Sequence, residues 1–209
     1  MPQKLSADYP LTGALMNEIL PLIGAKRIVA FGDSHVNAFS GLDGIEVNYV
    51  GAATAFNIAN EDSSSGGGKQ IVEMIAEMNP GSDAILLCFG EIDCRAHIVK
   101  QAFIQGRSIS DVAIATARKY FEFVQLLSWR GFRMIVYGPY GSGSQFNAFG
   151  VESQRNLAAQ CFNLHLEKSC LDEGIIFFSL IKVLLSSQAL STRLNLLPDD
   201  VHLPEKDSS

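Results

Sequence analysis

Five short runs, three of them almost continuously apolar, separated by stretches with helical spacing, constrain the fold of this chain more than any other feature. The runs are Arg27–Phe31, Ile45–Val50, Ala84–Phe89, Arg133–Tyr137 and Gly174–Ser179. They are rich in β-branched and aromatic residues, as strands are when a parallel sheet is covered on both faces. Between them, Ile71, Met74, Ile75 and Met78 fall on one helical face. Val112, Ala115, Tyr120, Phe123, Val124 and Leu127 do the same in segment 111–130, and Leu157, Cys161, Leu164 and Leu171 in a third. A further helix is expected from about Leu11 to Ile23. Strand alternating with helix predicts an α/β class, a three-layer α/β/α sandwich built on right-handed crossovers. The 209 residues suit a single domain, and neither a repeat nor a linker divides them.

The hydrophobic fraction of 47% supports a well-filled core. A net charge of -6 argues against non-specific nucleic-acid binding, which needs a basic surplus. Cys88, Cys94, Cys161 and Cys170 show neither a CxxC pair nor zinc-ligand spacing, so reduced, mostly buried thiols are expected. Nothing near Met1 resembles a signal peptide, and no run reaches the roughly 18 apolar residues that span a bilayer. The expectation is a cytoplasmic protein with no membrane partner. Ser63–Lys69 (SSSGGGK) lacks the Walker A pattern and reads as a flexible loop leading into a helix at Lys69. The tail Pro204–Ser209 is polar and is expected to fray.

Chemistry-bearing residues collect just after the strands. Gly32-Asp33-Ser34-His35 follows the first, Gly51 the second, and Gly90-Glu91-Ile92-Asp93-Cys94-Arg95 the third. Sites in open parallel sheets form outside the carboxyl ends of the strands, where strand order reverses. Asp33 and Ser34 alone could simply cap a helix. Asp199 and His202, however, stand three residues apart, a spacing at which a carboxylate can orient an imidazole whose other nitrogen accepts a serine proton.

On these motifs the chain resembles the SGNH/GDSL hydrolase family. Gly32-Asp33-Ser34 matches the block that carries the nucleophile. Gly51 matches the glycine whose N–H helps form the oxyanion hole. Gly90-Glu91-Ile92-Asp93 stands in the place of Gly-x-Asn-Asp, and Asp199-Asp200-Val201-His202 matches Asp-x-x-His. The resemblance spans about Lys26 to Leu203. It implies a flavodoxin-like sheet of five parallel strands, a Ser34–His202–Asp199 triad, and hydrolysis of a small acyl ester such as an acetate, with a carbohydrate among the candidate alcohols. No metal or organic cofactor is implied. Acyl transfer to a sugar hydroxyl and a catalytically weak binding module on the same fold are the alternatives.

Two departures from the family pattern stand out. Ile92 replaces the asparagine that would donate to the oxyanion, a loss that typically costs about 10²–10³ in rate. Arg95 then has three readings: a substitute donor, a binder of substrate carboxylate or phosphate, or a clamp paired with Glu91 or Asp93. Asp33 and His35 are expected to line the pocket, whereas His97 and His165 are read as structural or surface residues.

Overall fold

The computed structural model describes residues 13–143, 148–185, 190–192 and 202. Its centre is a five-stranded sheet: β1 Arg27–Gly32, β2 Ile45–Tyr49, β3 Asp83–Cys88, β4 Arg133–Gly138 and β5 Ile176–Ser179. All four pairings are parallel, and the order is β2-β1-β3-β4-β5. The three-layer α/β expectation is met. Every apolar run became a strand, its ends shifted by at most two residues.

Side chains alternate along the strands and so feed two cores. Val29, Phe31, Ile85, Leu87, Met134 and Val136 face one side. There they meet α2 (Gly67–Ile75), α3 (Ile98–Gln105), α4 (Ile109–Trp129) and α5 (Glu152–Asp172). Ile28, Ala30, Ala84, Leu86, Ile135 and Tyr137 face the other side, against Val36, residues at the end of α1 (Gly13–Leu22) and Leu184 of α6 (Ile181–Leu184). Residues such as Phe31, Leu87 and Phe162 are wholly buried. Each contributes about 1.5–3 kcal/mol relative to exposure, which is what holds the layers on the sheet.

Strand order places the site. From β1 the chain turns one way, through a short 3₁₀ helix, to β2; all later crossovers run the other way over the opposite face. The order therefore reverses between β1 and β3, and it is beyond the carboxyl ends of the strands at such a reversal that open parallel sheets form their sites. At the opposite ends Arg27 binds Asp83 through two bonds of 3.2 Å and Glu46 at 2.6 Å, joining the starts of β1, β3 and β2. The Arg27 hydrogen bond holds the Asp83 carboxyl below its usual range.

Two local features depart from the sequence expectation. The residues after β3 form a helix containing one π turn, Asp93–His97, that runs directly into α3. The Ser63–Lys69 run ends in a tight junction rather than a loose loop. Gly66 is left-handed (φ 62°), α2 begins at Gly67, and a Cβ on Gly67 would lie 2.7 Å from that of Ala53. A Cβ on Gly68 would overlap the Ile58 carbonyl oxygen. These glycines let α2 pack directly on the loop that follows β2.

Candidate active site

Ser34 begins the six-residue 3₁₀ helix Ser34–Phe39, with Asp33 as its N-cap. The Asp33 carboxylate accepts the His35 backbone N–H at 2.9 Å, fixing the sharp turn out of β1. Gly32, at the end of β1, has no room for a side chain: its Cβ would stand 2.6 Å from the Cys88 carbonyl oxygen. Strand and turn together leave Ser34 half-buried just beyond the carboxyl end of β1.

The imidazole of His202 meets it there. Ser34 Oγ and His202 Nε2 are 3.0 Å apart across 168 residues of sequence. That distance allows the ring nitrogen to accept the hydroxyl proton. Asp199 lies outside the described residues.

Gly51 leaves β2 beside this turn. Gly32 pairs with Tyr49, and the Val50 N–H donates to the Gly32 carbonyl at 3.0 Å, so the next residue stands alongside the Ser34 loop. Gly51 has φ 78° and nothing within 4 Å of where a Cβ would be. Such a backbone suits glycine. The Ser34 N–H, first in its helix, has no acceptor within that helix.

Under the serine runs a buried chain of charge. Asp33 and His35 are 1% and 4% exposed, buried beneath Ser34. His35 Nδ1 is 2.8 Å from Asp33 Oδ1, and its Nε2 is 3.8 Å from Glu91 Oε2. Arg95 Nε donates to Glu91 Oε1 at 2.6 Å, one helical turn away. The clamp reading of Arg95 thus has its geometry with Glu91. The His35 ring also stacks on that of His202, centroids 4.9 Å apart and planes 28° from parallel. Tyr140, buried after β4, meets the edge of the His35 ring at 5.4 Å. Sequence reasoning did not assign roles to Glu91 as a partner of His35 or to Tyr140, because both contacts depend on which strands are neighbours.

Asp93 has a separate task. Its carboxylate accepts the N–H groups of Ala55 at 2.7 Å and Phe56 at 3.2 Å, tying the Gly51 loop to the π turn. Burial pushes its carboxyl up to about 6 even against those donors. Ile92 is half-buried, and its side chain carries no donor. His97 is exposed and His165 half-buried on α5, both apart from the Ser34–His202 pair.

The segment leading to His202 is moored at Thr192. Its N–H donates to Glu152 Oε1 at 2.6 Å, and its hydroxyl donates to the Ser142 carbonyl at 2.9 Å. Asn156 donates to the Leu190 carbonyl at 2.7 Å and to Thr192 Oγ1 at 3.1 Å. Arg155 holds the loop after β4 through Ser142, Gly143 and Gly150. The cysteines are unpaired, Cys88, Cys94 and Cys170 being buried. Among the described residues no three His, Cys, Asp or Glu side chains gather as a metal-binding group. Nor, among those residues, is any helix long and apolar enough to cross a membrane.

No protein-family model and no curated protein matches the chain. Solved structures do. A GDSL-like lipase from Bacteroides thetaiotaomicron superposes with a TM-score of 0.58 at 11% identity, over 91% of this chain and 88% of that one. The chain has the SGNH/GDSL hydrolase fold. Two further structures with the same fold are a carbohydrate acetylesterase from Sinorhizobium meliloti and an aryl esterase from M. smegmatis. The acetylesterase gives a TM-score of 0.54 at 15% identity, over 86% of this chain and 91% of that one. The aryl esterase gives 0.53 at 16% identity, over 87% and 92%. At such identities the likeness is one of fold.

Proposed function

We propose that the chain is a serine esterase of the SGNH/GDSL type that hydrolyses small acyl esters, with Ser34 as nucleophile, His202 as general base and Asp199 orienting it. The observation that carries this reading is the 3.0 Å approach of Ser34 Oγ to His202 Nε2 at the strand-order reversal. His202 takes the hydroxyl proton as Ser34 attacks the ester carbonyl. The N–H groups of Ser34 and Gly51 receive the oxyanion, and the same imidazole returns the proton to the departing alcohol. Water activated by His202 then releases the acid. Acetylesters of carbohydrates are the favoured substrates, in keeping with the carbohydrate acetylesterase among the chains of like fold.

The test is turnover of aryl esters of increasing acyl length beside Ser34→Ala and His202→Ala. Activity on acetate or propionate esters, lost by a factor of about 10⁴ or more in either variant, supports the reading. Wild-type turnover no faster than Ser34→Ala sinks it. Ile92 favours a second reading, a binding module with residual catalysis, because an oxyanion held by two donors lacks about 10²–10³ in rate. Ile92→Asn separates them: a gain of about tenfold or more marks a working site short of one donor.

A further inference from the structure

Apart from the Ser34–His202 pair, a pocket of about 480 Å³ opens between the loop after β2 and the hairpin of α3 and α4. That is the size of a small-molecule site. Its floor is apolar: Ile98 from α3, and Val112 and Ala115 from one face of α4. One end is a row of amides. Gln105 donates to Gln101 Oε1 at 3.0 Å, and Arg107 donates to Gln105 Oε1 and to the Asp111 carbonyl, each at 3.3 Å. With those acceptors engaged, the groups still available there are donors, the Gln101 amide and the rest of the guanidinium. At the other end Lys119 Nζ lies 3.9 Å from the centre of the Phe56 ring. The ring fixes the ammonium without neutralising it. Lys119 stands about 12 Å beyond Asp111 along α4, so the apolar floor lies between the two cations.

Neither charge is offset locally. Among the described residues, neither Arg107 nor Lys119 has a carboxylate oxygen within 4.0 Å. Asp93 borders the pocket, but it is 1% exposed and its two oxygens accept the Ala55 and Phe56 N–H groups. Cations at the ends of a concave, apolar-walled pocket focus a positive potential into it. We propose that this pocket binds a small organic carboxylate, its acid group on Lys119 and its hydrocarbon body along Ile98, Val112 and Ala115. An inorganic anion would meet the ammonium but leave that floor in water. The Gln101 and Arg107 donors receive a second acid group where the ligand carries one. Neither Ser34 nor His202 lines the pocket, so the proposal stands apart from the esterase reading.

The experiment is an NMR titration of backbone N–H groups in the whole chain with hexanoate, adipate, 1-hexanol and inorganic phosphate, with no ester present. Hexanoate should move the signals of Phe56, Asn57 and the facing turns of α3 and α4. It should bind about tenfold or more tightly than hexanol, which lacks the charge, and than phosphate, which lacks the body. Adipate, with an acid group for each end, should bind more tightly still. Lys119→Met should weaken hexanoate about tenfold, and Lys119→Arg, which keeps the charge, should restore most of it. Arg107→Gln should bring adipate down to the affinity of hexanoate. Both residues are exposed, so the variants should fold, and an unchanged spectrum away from the pocket checks that they do. Hexanol or phosphate binding as tightly as hexanoate overturns the proposal. So does hexanoate binding that survives Lys119→Met, or signals that move only around Ser34 and His202.

Discussion

Substitution of Gly68 by alanine tests the reading of the glycine run most sharply, because Gly66 supplies a control two residues away. Alanine at Gly66 meets open space and suffers only the left-handed backbone (φ 62°), a cost of about 1–2 kcal/mol. Alanine at Gly68, inside α2, would by itself gain about 1 kcal/mol of helix propensity. Its Cβ, however, would overlap the Ile58 carbonyl oxygen, which cannot swing aside as a side-chain tip can. Either α2 or the loop 51–60 must move, and that loop gives Asp93 its two N–H donors. Overpacking of about 3 kcal/mol and weakening of one charged hydrogen bond outweigh the propensity gain, for a net loss of about 4 kcal/mol. Urea unfolding followed by circular dichroism should therefore rank Gly68→Ala well below Gly66→Ala, with Gly67→Ala between them. Gly68→Ala equal to or more stable than Gly66→Ala would refute the close-packing argument and restore the loop to a flexible connector.

Two further outcomes follow from the buried charges. Asp93 titrates near 6 in the folded chain against 3.8 ordinarily, so the folded state keeps its proton longer than the unfolded state does. The stability Asp93 confers is full below about 4 and is lost as pH rises through about 6, amounting to about 3 kcal/mol. Urea titrations of wild type and Asp93→Asn at about pH 4 and pH 7 should show that difference, and parallel curves would contradict it. Arg95→Ala leaves Glu91, 4% exposed, as a buried carboxylate missing its strongest partner, and should cost about 3 kcal/mol, part of it recovered in Glu91→Gln/Arg95→Ala. A drop in kcat without loss of stability would instead make Arg95 an oxyanion donor.

The sheet was legible because burial on both faces leaves an almost pure apolar signal, and β1, β3 and β4 carry it after their charged first residues, Arg27, Asp83 and Arg133. Ser34 and His202 were legible through short motifs whose chemistry demands particular residue types. The helix after β3 was not, since Asp93, Arg95 and His97 break the apolar rhythm that Cys94, Ile98 and Ala102 keep at every fourth position. Glu91 and Arg95 could be paired from their spacing of four. His35 and Glu91 could not, because 56 residues separate them and only the register of Gly32 against Cys88 brings their turns together. The glycine run misled for a related reason: a lack of side chains looks the same in sequence whether it serves freedom or close contact.

The mooring at Thr192 has a bearing on how substitutions would be tolerated across the molecule. Glu152, Arg155 and Asn156 occupy the start of a long helix, and they hold Leu190 and Thr192, upstream of His202, and the loop after β4. Under selection for turnover, the mutational footprint of the site would therefore extend along α5 in patches, with exposed Leu164 and Leu171 on the same helix left free to drift. A map of intolerant positions would thus trace the suspension of His202 as clearly as the crevice itself.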